Sequence, residues 1–124
     1  MPRILIVEVD DRVRTFLWHA LEDRGYEVQV TGSFHEAARA LEERWPDLLI
    51  ADAVLPDGAG GDLACRASQL GIPAVLITGN PDRMKIMQDQ GTKFLPKPFS
   101  IAGLMAEVDA ALSAVAGRPS RGGE

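Results

Sequence analysis

Five polar side chains in this sequence have the types and positions that phosphoryl transfer requires. Glu8 and Asp10 follow the apolar run ILIV, Asp52 follows LLIA, Thr78 follows AVLI, and Lys97 follows FLP. An aspartate carboxylate can attack phosphorus and hold the phosphoryl group as an acyl phosphate. The phosphoryl oxygens then need neutralising partners, which the ammonium of Lys97, the hydroxyl of Thr78 and a divalent cation could supply. Carboxylates after the first run could hold Mg²⁺, because Mg²⁺ prefers oxygen ligands.

The apolar runs that precede these groups predict the strands of a parallel sheet. Residues 4–7, 48–51 and 74–77 are continuously apolar, which is typical of strands buried on both faces. Residues 27–30 alternate in the way an edge strand does, and residues 93–95 form a weaker fifth candidate. Each run is short enough for a strand and is followed by residues with turn or helix-capping character.

Helical patterns separate these strands. The first helix places one group of apolar residues on a single face at 3.6-residue spacing: Val13, Phe16, Leu17, Ala20 and Leu21. The last helix is predicted to bury a similar group: Ile101, Leu104, Met105, Val108 and Leu112. Capping residues indicate where the helices begin: Asp10 or Asp11, Ser33 with Glu36 as a capping box, Asn80 before Pro81, and Ser100.

Strand and helix alternate five times, which predicts an α/β fold with a five-stranded parallel sheet and helices on both faces. Such a sheet most often has the flavodoxin-like strand order 2-1-3-4-5. In that order, strands 1, 3, 4 and 5 are neighbours, so the polar groups at their carboxyl ends converge on one cleft. We expect this domain to cover residues 1–116 and residues 117–124 to form a disordered C-terminal tail.

Length, charge and cysteine content exclude several classes of protein. A chain of 124 residues has the size of one domain and can form a core without disulfide or metal crosslinks. The single cysteine, Cys65, excludes a disulfide framework and a CxxC site. A net charge of −5 argues against nucleic-acid binding, and no apolar run approaches the ~20 residues needed to span a membrane. We expect a cytoplasmic protein.

Four stretches of the sequence form a specific pattern when taken in order: ILIVE with Asp10, LLIADAVLPDG, Thr78-Gly79, and FLPKPF. From residue 3 to about residue 116, the chain resembles the receiver domains of two-component response regulators. The resemblance implies that Asp52 accepts a phosphoryl group from the phosphohistidine of a sensor histidine kinase or a phosphotransfer protein. It also implies a phosphoacceptor that is not a conventional enzyme.

The same resemblance assigns roles to other residues. Thr78 and Lys97 would contact the bound phosphoryl group, and Phe94 would stand at the aromatic switch position before the lysine. The signal would leave through the face formed by the fourth helix, fifth strand and fifth helix, either to a downstream protein or through a homodimer. Mg²⁺ would be held by three carboxylates and one backbone carbonyl: Glu8, Asp10, Asp52 and Val54.

One position departs from the pattern of this family. Receiver domains usually carry two adjacent acids after the first strand, and the second of them contacts Mg²⁺ directly. The corresponding residues here are Glu8 and Val9, and valine cannot ligate a metal. Asp10 is one peptide further along, so its side chain starts from a different direction. We therefore expect Mg²⁺ binding to be weak or absent.

Two alternatives to a phosphorylated receiver follow from these residues. The first is a divergent receiver that works as a docking protein without phosphorylation, which Val9 favours. The second is a phosphatase of the haloacid dehalogenase type, which also uses an aspartyl nucleophile with lysine and threonine. That family places its nucleophile in a DxD motif after the first strand. Here the triplet is Glu8-Val9-Asp10, which has no aspartate at the attacking position.

Overall fold

Helices and strands alternate along the chain in the computed structural model, which describes residues 2–44 and 46–116. The strands are β1 (Arg3–Val7), β2 (Glu27–Thr31), β3 (Leu48–Asp52), β4 (Val54–Leu55), β5 (Gly58–Ala59), β6 (Ala74–Thr78) and β7 (Phe94–Pro96). The helices are α1 (Asp11–Asp23), α2 (Phe34–Arg44), α3 (Gly60–Gln69), α4 (Pro81–Gln90) and α5 (Ile101–Ala116). The tail predicted over residues 117–124 lies outside the described residues.

Five parallel strands form one sheet in the order β2-β1-β3-β6-β7. Since β6 and β7 are the fourth and fifth strands of this sheet along the chain, the predicted order 2-1-3-4-5 is confirmed. The register pairs Val7 with Ala51, Asp52 with Ile77, and Thr78 with Pro96. The carboxyl ends of β1, β3, β6 and β7 therefore meet at one edge.

Helices cover both faces of the sheet, and each face has its own core. Alternate residues of β1 belong to different cores. The side chain of Leu5 packs on the side covered by α2, α3 and α4, whereas that of Ile4 packs on the side covered by α1 and α5. All five residues of β3 are buried. Burial on both faces explains why these strands appear in the sequence as continuous apolar runs. Within the described residues, no helix is long and apolar enough to cross a membrane.

The helix boundaries follow the capping residues. Asp10 precedes α1 and accepts hydrogen bonds from the backbone N–H groups of Arg12 and Val13, and Asn80 caps α4 in the same way. Two apolar residues predicted to face the core are instead exposed, Phe16 by 41% and Ile101 by 47%. Both lie in the first two turns of their helices, towards the carboxyl end of the sheet. The Phe16 ring packs there against Phe99, with 6.0 Å between ring centroids.

A short antiparallel hairpin, β4–β5, follows Asp52 and was not predicted. Its turn residue Asp57 accepts hydrogen bonds from the backbone N–H groups of Phe34 (2.7 Å) and His35 (3.1 Å), and from the Ser33 hydroxyl (3.1 Å). The hairpin therefore caps the beginning of α2. Only one half of the predicted capping box forms: the Glu36 N–H donates to Ser33 Oγ at 3.3 Å. The Glu36 carboxylate instead accepts from the Thr31 hydroxyl.

The chain turns back from the hairpin into α3 through a close backbone approach at Gly60. The Gly60 N–H donates to the carbonyl oxygen of Ala53 at 2.9 Å. A Cβ atom on Gly60 would lie 1.9 Å from the carbonyl oxygen of Asp52, whereas a Cβ on the neighbouring Gly61 would meet nothing within 4 Å. Only glycine fits at Gly60 without a shift of the Asp52 backbone.

We expect Gly60→Ala to lower the free energy of unfolding by about 1–3 kcal/mol, because the added methyl group must displace backbone. Gly61→Ala is the matched control, since it lies in the same helical turn. It should raise the free energy of unfolding by up to about 1 kcal/mol, because alanine is the better helix former. Urea unfolding followed by circular dichroism measures both. Equal stabilities for the two variants would contradict the close approach.

Candidate functional site

Two buried carboxylates and one ammonium group meet at the carboxyl edge of the sheet. Glu8 is the first residue after β1, Asp52 is the last residue of β3, and Lys97 is the first residue after β7. Lys97 Nζ lies 3.1 Å from Glu8 Oε1 and 3.3 Å from Asp52 Oδ1. Glu8 is only 1% exposed and Asp52 only 6%. The topology thus brings together three of the side chains singled out in the sequence.

The β1–α1 loop holds both carboxylates through its backbone. The Val9 N–H donates to Asp52 Oδ2, and the Asp10 N–H donates to Glu8 Oε2, each at 3.0 Å. The Val9 side chain itself is 44% exposed. Position 9 therefore contributes its peptide N–H to the site and an apolar side chain to the rim.

The other oxygen of each carboxylate faces the Lys97 ammonium. Among the described residues, Glu8 Oε1 and Asp52 Oδ1 are buried and have no hydrogen-bond partner. Lys97 Nζ lies within ion-pair distance of both atoms, in directions that do not meet hydrogen-bond geometry. Its positive charge compensates the two carboxylates electrostatically.

Thr78 ends β6 and pairs with Pro96, the residue before Lys97. The buried Thr78 hydroxyl accepts a hydrogen bond from the Asn80 N–H at 3.1 Å, and a hydroxyl that accepts in this way keeps its own proton for donation. The carbonyl oxygen of Thr78 accepts from the Lys97 N–H at 2.9 Å, which ties the end of β6 to the lysine. Phe94 is half-buried and packs against the α2–α3–α4 core.

The Asp10 carboxylate makes contacts different from those of the carboxylate pair. The Asp10 carboxylate caps α1, and its hydrogen bonds from the N–H groups of Val13 and Arg12 hold its pKa below the usual value. Asp10 is exposed. The side chain of Val54, in β4, is also exposed. Metal ligation by these two residues stays a prediction.

The donor set does not fit a divalent cation as the side chains are arranged. Within residues 2–44 and 46–116, no group of three or more acidic, histidine or cysteine side chains could hold a metal ion. The two oxygens that lack hydrogen bonds, on Glu8 and Asp52, are already bridged by the Lys97 ammonium. Val9 adds no ligand atom from its side chain. The Lys97 ammonium thus already neutralises the two buried carboxylates.

Burial dominates the electrostatics of Glu8. Loss of hydration and contact with Asp52 raise the pKa of Glu8 to about 7, against the lowering effect of the Asp10 N–H and of Lys97. Burial alone would lower the pKa of Lys97, but its contacts with Glu8 and Asp52 raise it above its ordinary value. Lys97 thus stays positively charged at neutral pH.

Two residues that support the site were missed in the sequence. Asp57 caps α2 from the hairpin, as described above, and Arg14 Nη1 donates to the carbonyl oxygen of Glu8 at 2.8 Å. Arg14 also pairs with Asp11. The sequence signal for Arg14 was its place in the first turn after the acidic stretch, where a long cationic side chain can reach back to the loop carbonyls.

The raised pKa of Glu8 predicts a specific pH dependence of stability. The pKa is near 4.5 when unfolded and about 7 when folded, so between these values the folded state binds more protons. As pH rises through this window, the wild-type protein should lose on the order of 1–3 kcal/mol of unfolding free energy relative to Glu8→Gln. Urea unfolding at a series of pH values measures the difference.

Glu42→Gln, on the exposed side of α2, is the control for this pH series and should give a profile parallel to wild type. A wild-type profile that also runs parallel to that of Glu8→Gln would show that Glu8 titrates as an ordinary carboxylate.

Comparison with known proteins identifies relatives of this chain. The chain is 32% identical over 126 residues to the virulence transcriptional regulatory protein PhoP of Salmonella choleraesuis (strain SC-B67), covering 98% of this chain and 56% of that protein. It is 34% identical over 119 residues to the phosphate regulon transcriptional regulatory protein PhoB of Rhizobium meliloti (strain 1021), covering 90% of this chain and 52% of that protein. The chain thus spans about half the length of these relatives.

Solved structures show the same fold. A putative response regulator from Chloroflexus aurantiacus J-10-fl superposes with a TM-score of 0.81 at 31% identity, covering 90% of this chain and 98% of that chain. A CheY-like response regulator receiver domain protein from Methanospirillum hungatei JF-1 gives 0.83 at 26% identity, covering 94% and 97%. The family model described as the response regulator receiver domain matches residues 4–109. The chain therefore belongs to the response regulator receiver domain family.

Proposed function

We propose that this receiver domain accepts a phosphoryl group on Asp52 from the phosphohistidine of a sensor histidine kinase or a phosphotransfer protein. The observation that carries this proposal is the position of Asp52: a carboxylate at the end of the central strand β3, with one unpartnered oxygen 3.3 Å from Lys97 Nζ. Membership of the family supports the same role.

The chemical step is a displacement at phosphorus. A bond forms between an Asp52 carboxylate oxygen and phosphorus as the phosphorus–nitrogen bond of the phosphohistidine breaks, and the released imidazole nitrogen keeps the electron pair and takes a proton from water. We expect Lys97, Thr78 and the Val9 N–H to stabilise the charge on the transferred group. The product is an acyl phosphate on Asp52.

The rim of the site is suited to contact with a protein donor. Val9, Phe16 and Ile101 are each more than two-fifths exposed, and Phe16 packs against Phe99 beside the loop that carries Lys97. Exposed apolar side chains that border a charged site are typical of protein interfaces. A phosphohistidine on a partner protein could thus be docked over Asp52 by this rim.

The output is proposed to leave through the face formed by α4, β7 and α5. When the Thr78 hydroxyl moves to donate to the phosphoryl group, its hydrogen bond from Asn80 at the cap of α4 must change. The neighbouring Phe94 ring and α4 then shift together, which alters this face for a downstream protein or a second copy of the chain. The homodimer stays a prediction.

A second candidate function is supported by the side chains around Glu8. Val9 supplies no metal ligand, Asp10 caps α1, and Lys97 bridges the two buried carboxylates. A receiver with this arrangement could serve as a docking protein whose binding face is the same with or without phosphate. The two candidates differ in whether Asp52 becomes labelled by a phosphodonor.

We expect a small phosphoramidate donor to add one phosphoryl mass to the wild-type protein and none to Asp52→Asn, as measured by intact mass spectrometry with and without Mg²⁺. Asp57→Asn is the matched control, because Asp57 lies five residues away but caps α2; it should be labelled like wild type. Equal labelling of wild type and Asp52→Asn would remove Asp52 from the role. Absence of labelling in wild type under both conditions would favour the docking protein.

Val9→Asp should tighten Mg²⁺ binding by about 1–3 kcal/mol, because it would add a carboxylate beside Glu8 and Asp52 and Mg²⁺ prefers oxygen ligands. Val9→Asn is the control for size and should give a smaller gain, since its amide oxygen is uncharged. Without metal, Val9→Asp should lower the unfolding free energy, because it adds a negative charge beside Glu8 and Asp52. Calorimetric titration measures affinity, and wild-type binding as tight as that of Val9→Asp would refute this reasoning.

A further inference from the structure

A groove of about 750 Å³ separates α3 from α4, and Ala111 of α5 also contributes to its lining. One face of α4 lines it with residues at helical spacing: Arg83, Ile86, Met87 and Gln90. One face of α3 lines it at the same spacing with residues that are all small: Gly61, Ala64, Cys65 and Ser68. The floor consists of buried apolar residues, among them Ala53, Ile72 and Leu76.

The groove stays open because the α3 face has no side chain long enough to reach α4. Ile86 lines it and is 54% exposed, so a large aliphatic side chain on the groove stays open to solvent. Along the whole of α4, only Met87 is buried. The two helices therefore present a channel with an apolar floor that their own side chains do not fill.

The charged residues that line the groove are positive, whereas the net charge of the whole chain is negative. Arg83 and Lys93 line it, and no aspartate or glutamate does. Within the described residues neither cation forms an ion pair, whereas Lys85, also on α4, pairs with Asp89 at 3.9 Å. The chain as a whole has a net charge of −5. Two uncompensated cations beside an apolar channel favour an occupant with carboxylates next to apolar side chains.

We propose that this groove binds an amphipathic helix of a partner protein, with apolar side chains in the channel and flanking carboxylates at Arg83 and Lys93. In this mode of recognition, a helix lays its apolar face in a groove, and its anchoring side chains recur at positions i, i+3, i+4 and i+7. The groove lies apart from the Asp52 site but shares a wall with it, because Ala53 follows Asp52 and its carbonyl oxygen holds Gly60 at the start of α3. The proposal does not depend on phosphorylation of Asp52.

Two synthetic helical peptides test this proposal. Both carry leucines at helical i, i+3, i+4 and i+7 positions; one has glutamates beside the leucines and the other has lysines. Because the chain is acidic overall, general attraction favours the lysine peptide. We expect the glutamate peptide to bind at least about tenfold more tightly, with amide chemical-shift changes centred on α3 and α4. Tighter binding of the lysine peptide, or shift changes centred elsewhere, would overturn the proposal.

Charge reversal provides the second arm of the test. The double variant Arg83→Glu with Lys93→Glu should reverse the preference between the two peptides. The matched control is Arg12→Glu with Arg24→Glu, on and beside α1 on the other face of the sheet. It changes the net charge by the same amount and should keep the wild-type preference for the glutamate peptide. An unchanged preference in the first double variant would overturn the proposal.

Filling the channel provides the third arm. Ala64→Phe should weaken binding of the glutamate peptide by at least about tenfold, whereas Ala106→Phe, on an exposed position of α5, should leave it unchanged. Amide spectra establish that both variants are folded. Equal effects of the two substitutions on peptide binding would overturn the proposal. Self-association of the wild-type chain that is abolished by Ala64→Phe would also overturn it, because the occupant of the groove would then be a second copy of the chain.

Discussion

The ammonium of Lys97 between two buried carboxylates is the interaction on which the site depends. Glu8 and Asp52 are carried by neighbouring strands, so their negative charges would repel each other in a region shielded from water. Lys97 follows β7, which is separated from β1 in the sheet by two strands, β3 and β6. The contact therefore requires the order β1-β3-β6-β7, and it links assembly of this part of the sheet to formation of the site.

Backbone groups do as much as side chains to shape this site. The peptide N–H groups of Val9 and Asp10 each hold one carboxylate oxygen, which orients the pair and leaves one oxygen of each free of hydrogen bonds. A substitution at position 9 can thus change the side chain on the rim while the support of Asp52 is kept. This separation explains how valine is compatible with an intact carboxylate pair.

The sequence was sufficient for the parts of the fold that rest on local patterns. Continuous apolar runs identified the buried strands, and Asp10 and Asn80 identified the beginnings of two helices, because a strand buried on both faces and a capped helix each have a direct signal. The role of Asp57 as a cap for α2 depends on a contact 23 residues away, which no local pattern contains. The exposure of Phe16 and the groove beside α3 depend equally on where helices lie relative to the sheet.

The light anchoring of α4 has a consequence for its motion. Its Met87 is the sole buried side chain of the helix, whereas α1 buries Leu17 and Leu21, and α3 buries Leu63 and Ala67. Local opening of a helix exposes its buried apolar surface to water, so the free-energy cost of opening is smallest for α4 among these three. In native-state hydrogen exchange, the amides of α4 would lose their protection first. The helix capped at Asn80, next to Thr78, is also the one that separates from the sheet most readily.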